Sequence, residues 1–98
     1  MKKLAILGAG AHAAELEEYI NDNNQVVSNK EKIEIVGYYD DNVDSNWEHY
    51  ELRSPLLGGI KKFQPKDDIW LILGFAKISF RKELIDYYLN KGAIFTNF

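Results

Sequence analysis

A chain of 98 residues, 46% of them hydrophobic, holds enough apolar material for one core and too little for two, so a single domain over 1–98 is expected. Its formal net charge of −3, with Lys61-Lys62 as the densest basic run, argues against a nucleic-acid partner. The absence of cysteine removes disulfides, thiolate zinc sites and cysteine nucleophiles, and no stretch has the length of a membrane span or the shape of a signal peptide, so a cytoplasmic protein without a membrane partner is expected.

Lys3 to Leu7 reads as a strand covered on both faces. The run breaks on Gly8 and Gly10 and resumes as helix-forming sequence at Ala11, which predicts a strand, a tight glycine turn and a helix start. Glycine at positions 8 and 10 allows positive φ and close approach of an anion to the amides, and small Ala13 lets the helix pack closely on the strand. First-turn amides have no intrahelical acceptor, and aligned peptide dipoles place about half a positive charge there, so the turn suits the phosphates of a nucleotide. His12 in that turn can donate to a phosphate or sugar oxygen. The same residues also suit a strand-to-helix turn with no ligand and a histidine that caps or packs.

The helix is predicted from Ala11 to Asn21, with Ala13, Leu16 and Ile20 inward and Glu15, Glu17 and Glu18 toward solvent. Asn21-Asp22-Asn23-Asn24 should end it, because these side chains compete for backbone hydrogen bonds. Gln25 to Lys32 reads as a polar extended connection, and Glu34 to Tyr39 as a second strand stopping at Asp40-Asp41-Asn42. Val43 to Arg53, with Trp47, His49 and Tyr50, has no sustained period and reads as a loop, with or without a helical turn. Ser54 to Gly59 suggests an edge strand, where Pro55 is tolerated, followed by a helical turn through Ile60 to Phe63. Asp68 to Leu73 is the next buried strand, which Gly74 breaks into the loop Phe75-Ala76-Lys77. A helix to about Lys91 then buries Leu84, Ile85, Tyr88 and Leu89 and stops at Gly92, and Ala93 to Phe98 is a last strand.

Alternating strands and helices require crossovers, so the expected fold is α/β: a Rossmann-like parallel sheet of four to five strands with helices on both faces. Ligands of such sheets sit at the carboxyl ends of the strands near the switch in strand order, which brings together the Gly8 turn, Asp40-Asp41 and the Gly74 loop. Asp40, at the end of the second strand, is suited to accept hydrogen bonds from ribose hydroxyls, although Asp40-Asp41-Asn42 also reads as an ordinary turn. Lys77 and Arg81 either supply positive charge across the crevice or are solvated. One helix terminus contributes about 0.3–2 kcal/mol toward an anion, whereas a millimolar complex needs about 4 kcal/mol. Base and ribose contacts must supply the rest; Tyr38, Tyr39 or Phe75 can stack on a base, or serve in packing. The candidate binding residues are Gly8, Gly10, Ala11, His12, Asp40, Asp41, Gly74, Lys77 and Arg81. No catalytic residue is assigned: His12 and His49 are the only histidines, no Ser-His-Asp order is readable, and no metal-ligand spacing exists.

Four blocks in order, Lys3 to Ala13, Val36 to Asn42, Leu56 to Ile60, and Leu73-Gly74 with Arg81-Lys82, resemble the N-terminal domain of sugar acyltransferases of the sialic acid O-acetyltransferase and bacillosamine N-acetyltransferase type. The resemblance covers essentially the whole chain. It implies a Rossmann-like domain that binds a nucleotide-linked sugar such as a UDP-sugar, with Gly8, Gly10 and His12 against the phosphates and Asp40 with Asp41 lining the nucleoside pocket. In that family a C-terminal left-handed β-helix of hexapeptide repeats binds acetyl-CoA, supplies the catalytic histidine and forms the trimer. Ala11 stands where the family usually has glycine, and Ala14 where a lysine or arginine is common. Gly92 to Phe98 looks like the strand that precedes the β-helix, so the resemblance implies a truncation, a split gene product or a stand-alone relative, binding and not catalytic by itself. An NAD- or nucleotide-binding Rossmann domain and an interaction module with an empty crevice are the alternative functions.

Overall fold

Strand β1 (Lys2–Leu7) lies in the middle of a five-stranded sheet because its last four residues, Leu4, Ala5, Ile6 and Leu7, are buried on both faces. The computed structural model describes residues 2–41, 52–74 and 78–96. β2 (Ile33–Tyr39) and β4 (Ile69–Leu73) flank β1, with β3 (Leu56–Gly58) outside β2 and β5 (Ile94–Phe95) outside β4. All four ladders are parallel. Helix α1 (Ala11–Val26) follows β1 and helix α2 (Ile78–Asn90) follows β4, as parallel neighbours require.

The two-residue period of β1 divides the core. Leu4 and Ile6 pack with Ala13 and Ile20 of α1 and with Tyr38. Ala5 and Leu7 point the other way, into a cluster with Leu84 and Tyr88 of α2, Phe63 and Ile60. A helix therefore covers each face, and the chain has the α/β, Rossmann-like fold expected, with five strands. Among the described residues no helix is long and apolar enough to cross a membrane.

Several element ends differ from expectation. Helix α1 continues through the asparagine cluster to Val26 because Asn24 lies on the buried stripe set by Ala13, Glu17 and Ile20 and finds partners there. Its side chain donates to the Ile33 carbonyl and accepts from the Ile33 N–H, both at 2.8 Å, clamping the start of β2. The connection to β2 contracts accordingly to a short 3-10 turn, Asn29–Glu31. On α2, Leu84 and Tyr88 are buried and Ile85 half-buried, but Leu89 is 53% exposed, one residue past the inward stripe. Gly92 ends this helix with φ +86, its N–H bonded to the Leu89 carbonyl and that of Ala93 to the Tyr88 carbonyl, both at 3.0 Å, which is a Schellman cap. β3 is the edge strand expected after Pro55, and the Ile60 to Phe63 stretch is a single turn closed by Lys62 N–H on the Gly59 carbonyl at 3.0 Å. The expectations for Asn42, Trp47, His49, Tyr50, Phe75, Lys77, Asn97 and Phe98 lie outside the described residues.

Candidate functional site at the strand-order switch

From β1 the chain builds outward to β2 and β3, then returns to place β4 on the other side of β1. The switch in strand order therefore lies between β1 and β4, and their carboxyl ends carry the Gly8 turn and Gly74. Gly8 takes φ +103, a left-handed conformation costly to any residue with a Cβ, and its N–H donates to the Tyr39 carbonyl at 2.6 Å. Gly10 does not need positive φ: at −96 it is the extended N-cap of α1 and brings no capping side chain to the first-turn amides. The turn thus requires glycine for its backbone conformation at position 8 and not at position 10.

Gly74 closes the back of the turn. Its N–H donates to the Leu7 carbonyl at 2.7 Å, and a Cβ on it would lie 2.8 Å from Ile6 Cγ2 and 3.1 Å from Ala13 Cβ. Small Ala13 and Gly74 together let α1 start directly over the end of β1, which sets the helix N-terminus at the carboxyl edge of the sheet.

Asp40 and Asp41 follow β2 on the same edge, and both engage backbone amides. Asp40 Oδ2 accepts from Ala9 N–H at 2.7 Å, joining the end of β2 to the glycine turn. Asp41 Oδ1 accepts from Ile60 N–H at 2.8 Å, joining it to the turn after β3. Spacing in the sequence brings these carboxylates to the edge but gives no sign of the amides they hold.

Ala11 and His12 are exposed on the first turn of α1, and His12 Nδ1 lies 3.9 Å from Glu15 Oε2. Arg81 is exposed near the start of α2, on the side of the sheet where β4 ends, and Lys77 lies outside the described residues. Of the aromatic candidates, Tyr38 is fully buried in the α1 core and Tyr39 packs edge-on against Phe63 with ring centroids 5.5 Å apart, so both serve in packing. Among the described residues no cluster of His, Asp and Glu could hold a metal ion.

One residue assigned to solvent from the sequence is buried instead. Glu17, 5% exposed, accepts from the Tyr38 hydroxyl at 3.1 Å and from Arg53 N–H at 2.9 Å through the same Oε1. Burial, and next the Glu17 carboxylate, push the Tyr38 hydroxyl well above its ordinary pKa. The spacing from Ala13 and to Ile20 is the signal that places Glu17 inward.

Residues 3–88 match the model of a family described as the PglD N-terminal domain. Comparison with curated proteins and with solved structures found no match.

Proposed function

This chain belongs to the PglD N-terminal domain family, and from that membership we propose that it binds a nucleotide-linked sugar, such as a UDP-sugar, at the carboxyl edge of β1 and β4. By family it is a sugar-acetyltransferase N-terminal domain. The reading adds that it presents the sugar amine or hydroxyl to an acyl-transfer domain in cytoplasmic glycan or surface-polysaccharide biosynthesis. Acetyl-CoA, the catalytic histidine and trimer formation belong, in this reading, to the acyl-transfer domain.

The observation that carries the proposal is the Gly8 turn leading into α1 at the strand-order switch, with a helix N-terminus that has no side-chain cap. Diphosphate oxygens would meet first-turn amides there, with His12 as a further donor. Sugar and base contacts would add the energy that phosphate contacts alone lack.

Calorimetric titration with a UDP-sugar, UDP and NAD in parallel, at up to millimolar ligand, tests the reading. Saturable binding of the UDP-sugar and UDP but not NAD is expected, and His12→Ala should weaken it about tenfold, the loss of one hydrogen bond to a charged group. Binding of NAD alone would transfer the chain to the dehydrogenase-like class, and binding of none of the three would leave a scaffold for an interaction module.

A further inference from the structure

Helix α1 crosses its face of the sheet on a diagonal. Its first turn lies over the end of β4, where a Cβ on Gly74 would come within 3.1 Å of Ala13 Cβ, and its last turns lie at the start of β2, where Asn24 holds both polar groups of Ile33. The amino halves of β4 and β5 are therefore left beside the helix, not beneath it. Trp70 and Ile94 are register partners there and face the α1 side, as does Leu4, the β1 partner of Trp70. Trp70 is half-buried, with the Lys2 ammonium 4.2 Å from its ring centroid, and Ile94 is 40% exposed. Parallel strands are normally covered on both faces, but the right-handed crossover from β4 to β5 puts α2 on the opposite face, and among the described residues α1 is the only α-helix on this one.

The helix beside this floor carries an exposed stripe. Glu18 reaches Arg53, on the way into β3, at 3.5 Å, so the flank of α1 turned toward β4 is the one with Leu16, Tyr19 and Val26. Glu15, Tyr19, Asp22 and Val26 follow at i, i+4, i+7 and i+11, and all four are exposed, Tyr19 at 61% and Val26 at 82%. Among the described residues, three of the five exposed large hydrophobics, Tyr19, Val26 and Ile94, thus border one trough, which marks it as a contact surface.

We propose that the trough is a self-association surface: α1 of a second copy lies over Trp70 and Ile94, while α1 of the first covers the same strands of the second. The stripe on α1 matches the floor in both chemistry and charge. Tyr19 and Val26 supply apolar cover, and Asp22, between them on the stripe, meets the Lys2 ammonium beside Trp70. Stripe and floor lie on the same side of one molecule, so a twofold axis satisfies both at once and closes the assembly at a dimer. The contacts fall on the amino halves of β4 and β5, and the carboxyl edge stays open.

Sedimentation equilibrium of the whole chain, from about 10 μM to about 1 mM, tests the proposal. Wild type should pass from monomer to dimer across that range, and added salt should weaken the dimer because the Lys2 and Asp22 charges face each other across it. Ile94→Glu and Val26→Glu should each weaken dimerisation about tenfold or more. Residue 26 is so exposed that its substitution leaves the core intact, which keeps the test open if Ile94→Glu does not fold. Lys2→Glu and Asp22→Lys should each weaken the dimer, and the two combined in one chain should restore it. A monomer at every concentration would overturn the proposal, as would a dimer untouched by both glutamate variants or association that continues beyond two copies. Failure of the combined charge reversal to restore a dimer that each single reversal weakens would overturn the pairing of Asp22 with Lys2.

Discussion

Glu17 shows how much a single side chain can connect. It lies in the middle of α1, receives the hydroxyl of Tyr38 from β2 and the backbone N–H of Arg53 beyond it, and so joins three segments through one oxygen. Replacing it by alanine leaves a buried hydroxyl and an amide without their acceptor, a loss of about 1–3 kcal/mol. Urea denaturation of Glu17→Ala should show that loss as a lower midpoint with an unchanged slope, and a midpoint equal to wild type would show that the contact carries no stability. Its charge made it a solvent residue in the sequence reading although it shares a stripe with Ala13 and Ile20, and the partner that reverses that reading is 21 residues away on another element. The candidate site was legible in the same partial way. Gly8, Asp40 and Gly74 could be assigned to one edge by residue type and position, whereas the amides held by Asp40 and Asp41 depend on strand register.

At the level of elements, β1 and the cap of α2 were readable because their signals are local. An apolar run of strand length, and a glycine after the last helical turn, need no knowledge of distant partners. The end of α1 was not readable for the converse reason. Asn24 would favour a turn if left to its own backbone, but on the inward stripe it pairs with both polar groups of Ile33, and the helix is extended to bring it there. Asn24→Ala should cost about 1–3 kcal/mol in thermal or urea melts, since it leaves the first amide and carbonyl of β2 without these partners. It should also raise hydrogen exchange at Ile33 more than at residues of β4. Equal exchange at the two strands would refute the clamp.

The whole molecule inherits its order from strand and helix alternation, which sufficed to read a parallel sheet covered on two faces. It did not reveal how the faces differ: one is built around Tyr38 with α1, the other around Tyr88 with α2. Both hydroxyls are buried and hydrogen-bonded, and both are pushed above their ordinary value of 10.0. For Tyr88 the rise is to about 12, caused first by burial, opposed by a backbone hydrogen bond at Phe63, and assisted by the nearby Tyr87, Tyr39 and Asp41. A tyrosine so shifted keeps its proton in the folded chain after the unfolded chain has lost it. The stability it contributes is therefore complete below pH 10 and declines as pH rises toward 12. Denaturation at pH 9, 10 and 11 should show falling stability, and Tyr88→Phe should flatten the fall; an equally steep fall in that variant would exclude Tyr88 as a source.

If the edge where β1 and β4 end is a nucleotide site, backbone amide mapping during a UDP titration will locate the ligand there. Saturable shifts concentrated at Ala9 to Ala13 and Gly74 are expected, with β5 and the Gly92 cap unmoved. Shifts confined to other parts of the fold, or none up to millimolar UDP, would contradict it.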